Sequence, residues 1–170
     1  MKRRQALQNI VVISSGVALL PACDFEQVPV YKNIPLERKQ WRMLEWLTDA
    51  ILPKGELEIS APESTADFVL TMVNDCYDPA DVKKYVEGLQ GFEQYLTETV
   101  GSSFKRLDEA QKTQLLAALS ESETTPENIK YLYNTTRRLA QQHFTSTEYF
   151  LKNYLDYEFV PGRYIGCVAL

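Results

Sequence analysis

The chain has 170 residues, 45% of them hydrophobic, with 18 Lys and Arg set against 23 Asp and Glu for a formal charge of −5. No basic stripe interrupts that acidity, which repels phosphate backbones and argues against nucleic acid as a partner. One histidine and three cysteines with no CxxC pair are too few ligands for a zinc or iron–sulfur site built by this chain alone.

Met1-Lys2-Arg3-Arg4 opens the chain, and the apolar run 10–22 follows, broken by Ser14, Ser15, Gly16 and Pro21. A basic head, a short apolar stretch and small residues at its end are the plan of an export signal. A bilayer span takes roughly 20 residues, so this run is too short for a permanent transmembrane anchor. Leu20-Pro21-Ala22-Cys23 is similar to a lipobox, in which cleavage before the cysteine leaves it as the lipidated first residue. Cys23 is therefore the expected lipid site, and more than one acyl chain, at about 0.8 kcal/mol per buried methylene, makes such an anchor effectively permanent. Arg3-Arg4 resemble the twin-arginine signal that exports folded proteins. Loss of residues 1–22 would remove three bases and no acid, leaving a mature chain with a charge of −8 and a length suited to one hydrophobic core.

Residues 23–34 lack a periodic apolar face and contain Pro29, so they read as a tether, with a single helical domain over 35–170. From Pro35, the residues Leu36, Met43, Leu44, Leu47 and Ile51 recur at helical spacing, with Trp41 beside them, until Pro53 stops the helix. Lys54 to Ser64 is a loop. A second helix fits Thr65 to Cys76, its stripe formed by Ala66, Val69, Leu70, Val73 and Cys76, which places Cys76 toward the core. Asp78-Pro79-Ala80-Asp81 has the form of a helix start, and the helix it opens runs through Val82, Tyr85, Val86, Leu89, Phe92 and Leu96. Gly101-Ser102-Ser103 breaks the chain, and Asp108 with Gln111 predicts a capping box for a helix through Leu119.

After a break at 120–125, Thr125-Pro126-Glu127 starts the next helix, with Ile129, Leu132, Tyr133, Thr136, Leu139, Ala140 and Phe144 on its apolar face. His143 falls near that helix end, where a surface position or a contact with the helix dipole is expected. A short aromatic helix fits Thr147 to Leu155, and Phe144, Tyr149, Phe150, Tyr154, Tyr157 and Phe159 crowd this region. A short terminal helix cannot turn all six rings inward, and tyrosine suits a surface that is wet before assembly and dry afterward. No stretch of the mature chain shows strand alternation. The expected fold is all-α, a single compact bundle of five or six helices with an extended C-terminal segment.

No residue pattern points to catalysis. A nucleophile with its base, or a paired acid and base, finds little support in one histidine. Asp49, Asp67, Asp75 and Asp78 could be assembled into a carboxylate site, but capping and surface charge account for such acids among 23.

Asp49-Ala50-Ile51-Leu52-Pro53 and Pro161-Gly162-Arg163-Tyr164-Ile165-Gly166-Cys167, with the twin-arginine-like leader, resemble the small subunit, or subunit 3, of gluconate 2-dehydrogenase. The resemblance implies a non-catalytic companion that binds no cofactor itself. Its partner would be a large FAD-dependent sugar or polyol dehydrogenase of the glucose-methanol-choline class, passing electrons to the haem of a cytochrome c. It also implies export on the periplasmic side of a bacterial membrane, where the small subunit's leader can carry the folded large subunit. The tail 161–170 is then expected to lie extended against that partner. Pro161 ends helical structure, Gly162 and Gly166 allow close approach, and Arg163 and Tyr164 are residue types enriched at interface hot spots. For Cys167 three states stay open: a disulfide to the partner, an internal bridge to Cys76, or two free thiols. The rival reading is a free-standing helical lipoprotein that acts as a scaffold or binding module.

Overall fold

The computed structural model describes residues 28–52, 61–121, 124–155, 157, 158, 160 and 162, and it places six α-helices and no strand among them. In chain order these are α1 (Arg38–Ile51), α2 (Thr65–Cys76), α3 (Pro79–Val100), α4 (Glu109–Glu121), α5 (Glu127–Thr145) and α6 (Glu148–Tyr154), with a 3₁₀ turn, Phe104–Arg106, between α3 and α4.

Each boundary has a local cause. Glu37 N–H donates to Gln40 Oε1 at 2.9 Å, so α1 begins at Arg38 and Leu36 packs ahead of the helix instead of within it. Leu52 is extended (φ −81°, ψ 140°), the conformation a following proline imposes, and α1 ends there. Ser64 caps α2 by accepting from Asp67 N–H at 3.1 Å. Pro79 occupies the first turn of α3, whose start is closed by Asp78 O accepting from Asp81 and Val82 N–H; the Asp78 side chain makes no cap bond. Gly101, at φ 72°, terminates α3 in the left-handed region, which glycine adopts without steric cost. The predicted capping box of α4 is formed: Gln111 N–H donates to Asp108 Oδ1 at 2.8 Å and Asp108 N–H to Gln111 Oε1 at 3.0 Å.

α5 is the central helix, packed against α1, α2, α3 and α4, with α6 at its end. Its inward stripe is Ile129, Leu132, Tyr133, Thr136, Leu139, Ala140 and His143. The broadest helix pair is α3 with α5, and it closes over Gly88, where a Cβ would stand 2.4 Å from Asn128 O and 2.8 Å from Leu132 Cβ. Between the same helices the fully buried Tyr85 and Thr136 hydroxyls share a hydrogen bond of 3.0 Å, and burial pushes the tyrosine pKa well up. No buried side-chain nitrogen or oxygen among the described residues lacks a partner.

Asp67 ties three elements together. Its Oδ1 accepts from Trp41 Nε1 on α1 at 2.9 Å, its Oδ2 accepts from Ser64 Oγ at 2.8 Å, and its backbone O receives Tyr31 OH at 3.4 Å. Tyr31 belongs to the stretch read from sequence as a tether. Residues 28–34 of that stretch are instead bound along the bundle: Asn33 N–H donates to Asn74 Oδ1 at 2.8 Å, Asn33 Nδ2 to Asn74 O at 2.9 Å, and Ile34 enters the core.

Candidate partner-docking surface

The C-terminal aromatic region is built on α6. Thr147 caps it, accepting from Phe150 N–H at 3.2 Å while its hydroxyl donates to Phe144 O at 2.7 Å. Seven residues are too few for a helix to stand alone in water, so α6 depends on α5 and on its own rings. Phe144 meets Phe150 edge-on at 5.3 Å, Phe150 stacks on Tyr154 at 5.2 Å, and Tyr149 meets Tyr154 at 6.2 Å.

That ring cluster leaves α6 without a single buried residue. Four of the six large apolar side chains that stand exposed among the described residues follow in succession: Tyr154, Leu155, Tyr157 and Val160, the last 76% exposed. Scattered exposed apolar residues are ordinary, whereas a run of this kind makes this region the candidate for an interaction surface. The expectation that some of these rings face water is met at Tyr154 and Tyr157; Phe159 lies outside the described residues.

Of the residues singled out from sequence, Cys23, Pro161, Arg163, Tyr164, Gly166 and Cys167 lie outside the described residues. Gly162 is described and exposed, with open space where a Cβ would sit. No contact with the other described residues requires a glycine there. Cys76 corrects its sequence reading: it is exposed, and it forms no disulfide among the described residues. It is the last residue of α2, and the apolar periodicity continues one step beyond the point where neighbouring helices cover that face.

His143 corrects its reading as well. It is 4% exposed, its Nδ1 lies 3.1 Å from Thr65 Oγ1, and its ring stacks on Phe68 at a centroid distance of 4.7 Å. Loss of hydration on burial holds its pKa below the usual histidine value, opposed more weakly by Glu63. The imidazole ties the end of α5 to the start of α2, and burial favours its neutral form. This gives a signed expectation. The unfolded chain binds a proton below about pH 6.5 and the folded chain resists it, so stability is whole above that pH and declines as pH falls, by at most about 1.4 kcal/mol per unit. Urea midpoints measured from about pH 7.5 down to about pH 5 should fall more steeply for the natural chain than for His143→Phe. Equal slopes would show that the histidine protonates in the folded state without cost.

The acids considered for a carboxylate site are dispersed. Asp67 is occupied by Trp41 and Ser64, Asp75 accepts from Asn74 Nδ2, Asp78 opens α3, and Asp49 is exposed on α1. An open groove of about 490 Å³ beside Tyr77, Val82 and Val86 contains one exposed ion pair, Lys83 with Glu87 at 3.9 Å. Among the described residues no three His, Cys, Asp or Glu side chains are grouped to hold a metal ion, and no helix is long and apolar enough to cross a membrane.

Residues 38–162 match the family model described as Gluconate 2-dehydrogenase subunit 3. The match begins on the first residue of α1 and takes in all six helices; Arg163, Tyr164, Gly166 and Cys167 lie past its end. No curated protein and no solved structure matches the chain.

Proposed function

The chain belongs to the gluconate 2-dehydrogenase subunit 3 family, small non-catalytic subunits of dehydrogenase complexes, and on that premise we propose that it binds, stabilises and membrane-tethers a large FAD-dependent dehydrogenase. That partner is a sugar or polyol oxidoreductase of the glucose-methanol-choline class. The flavin is held by the partner, and electrons leave to the haem of a cytochrome c. The assembly sits on the periplasmic side of a bacterial membrane, anchored by lipid on Cys23 and exported by the twin-arginine route with the large subunit as folded passenger.

The observation that carries this reading is the exposed apolar run Tyr154, Leu155, Tyr157 and Val160, on a terminal helix with no buried residue. An unassembled monomer gains nothing from such a surface; a subunit does. The run leads directly into 161–170, which docks beside it, with Arg163 and Tyr164 as anchors, Gly162 and Gly166 for close approach, and Cys167 bonded to a cysteine of the partner.

In a strain lacking this chain, the flavoprotein should remain in the cytoplasm, and the natural gene should restore it to the periplasmic membrane face. Normal flavoprotein localisation without the chain would remove the export role. Intact-mass measurement of the restored, membrane-extracted protein should show residues 1–22 gone and acyl mass on Cys23. A species beginning at Met1, or a mature one without lipid, would remove the anchor.

A further inference from the structure

The strap 28–34 carries a second exposed feature. Val30 is 96% exposed, more than any other large apolar side chain described, yet it sits between anchored neighbours, Tyr31 and Asn33 on one side and the partly buried Val28 on the other. We propose that this strap and the start of α1 form the membrane-facing surface of the bundle, with Val30 at the lipid headgroups. The proposal rests on the reading that Cys23 carries the lipid.

Chain length argues for it. Five residue steps separate Cys23 from Val28, and five extended steps reach about 18 Å. A domain of this size is roughly 35 Å across. Hydrogen bonds of the strap to α2 fix where the leash joins the domain, so that side cannot be turned to the far pole of an anchored bundle.

Charge argues for it independently. The mature chain carries −8, yet residues 28–42 hold four bases, Lys32, Arg38, Lys39 and Arg42, against Glu37 alone. Lys32, Arg38 and Lys39 are exposed. The acids nearest the strap are Asp67, which accepts from Trp41 and Ser64, Asp75, which accepts from Asn74, Glu63, whose charge acts on Tyr31, and Glu87, which shares a groove with Asn33 and pairs with Lys83; within residues 28–42 themselves the bases keep the excess. A basic stretch within a short leash of the bilayer, with an apolar side chain among the bases, fits an anionic lipid surface.

The test uses the full chain, purified from its host in lipidated form, in vesicles of phosphatidylethanolamine and phosphatidylglycerol. In a Cys76→Ser, Cys167→Ser background, a spin label is placed at Val30→Cys or, as the distant control, at Thr99→Cys. Thr99 lies 20 residues along α3 from Pro79, about 30 Å at helical rise, and Pro79 lines the same groove as Asn33 of the strap. The label at position 30 should lose several-fold in accessibility to a water-soluble relaxant relative to that at 99. The loss should shrink with Lys32→Glu and Lys39→Glu together. Acyl mass on Cys23 with equal accessibility at both positions overturns the membrane-facing strap and leaves the anchor standing. Absence of acyl mass overturns both. Shielding at position 30 that survives removal of the vesicles while the large subunit stays bound assigns the strap to that partner and also overturns the proposal.

Discussion

Gly88→Ala is expected to destabilise the bundle by about 3 kcal/mol, the upper part of the range for overpacking a closed interface. The new methyl would meet Asn128 O at 2.4 Å and Leu132 Cβ at 2.8 Å. The first is backbone of α5 and the second is the root of a buried side chain, so neither yields by a rotamer change. Alanine's better helix propensity, worth about 1 kcal/mol over glycine, opposes this and is too small to offset it. Gly91, one turn further along α3, supplies the control. A Cβ there has its nearest contact at 3.7 Å, with Ile129 Cδ1, so Gly91→Ala keeps the propensity gain and is expected to stabilise by about 0.5–1 kcal/mol. Urea unfolding of both variants should give opposite signs. A neutral Gly88→Ala would mean that α3 and α5 separate easily and are not closed over this glycine.

The second large effect concerns assembly. Tyr154→Ala combined with Tyr157→Ala should weaken binding of the large subunit by about 2 kcal/mol or more, roughly 30-fold, as expected for truncating interface tyrosines. Both side chains are about half exposed in the free chain, but Tyr154 makes two of the ring contacts that support α6, so the double variant should lose about 1–2 kcal/mol of folding stability and its affinity should be compared under conditions where it is fully folded. Deleting 161–170 should abolish complex formation and flavoprotein export while leaving the helical bundle folded. Unchanged affinity in the double variant, measured by titration against the purified large subunit, would move the interface off α6. Unchanged assembly and export after the deletion would remove the docking role of the tail, whatever the state of Cys167.

Much of the helical framework was legible because its signals are periodic or local. Thr65–Cys76 has the same bounds in sequence and structure, and the Asp108–Gln111 capping box is present bond for bond. The α5 stripe was readable at every position from Ile129 to Ala140 that was assigned to it. The 3₁₀ turn Phe104–Arg106 was not, since three residues show no period. Phe104 nevertheless is fully buried, tilted against Phe92, with Lys112 Nζ over its ring at 5.9 Å.

His143 was misplaced although its signal was present. It follows Leu139 and Ala140 by four and three residues on the buried stripe, and periodicity there outweighed the polarity of the side chain, which Thr65 satisfies. Cys76 fails in the opposite sense, because a stripe says which face turns inward and not how far the neighbouring helices extend to cover it. The strap 28–34 has no period at all; it is held by tertiary contacts, among them Asp67, Asn74 and the core that Ile34 enters, which no local pattern reveals. The exposed C-terminal run was legible as composition, through its crowd of aromatics, but which rings face water depends on the packing of α6 against α5.

Gentle detergent extraction of the native membrane, followed by size-exclusion chromatography on this chain, tests the companion role most directly. The chain should elute with a larger flavoprotein, flavin absorbance and dehydrogenase turnover should follow that complex, and the separated small subunit should have neither. A chain that elutes as a monomer from a membrane where the flavoprotein is present and active, with no flavin absorbance in its peak, would contradict the companion role.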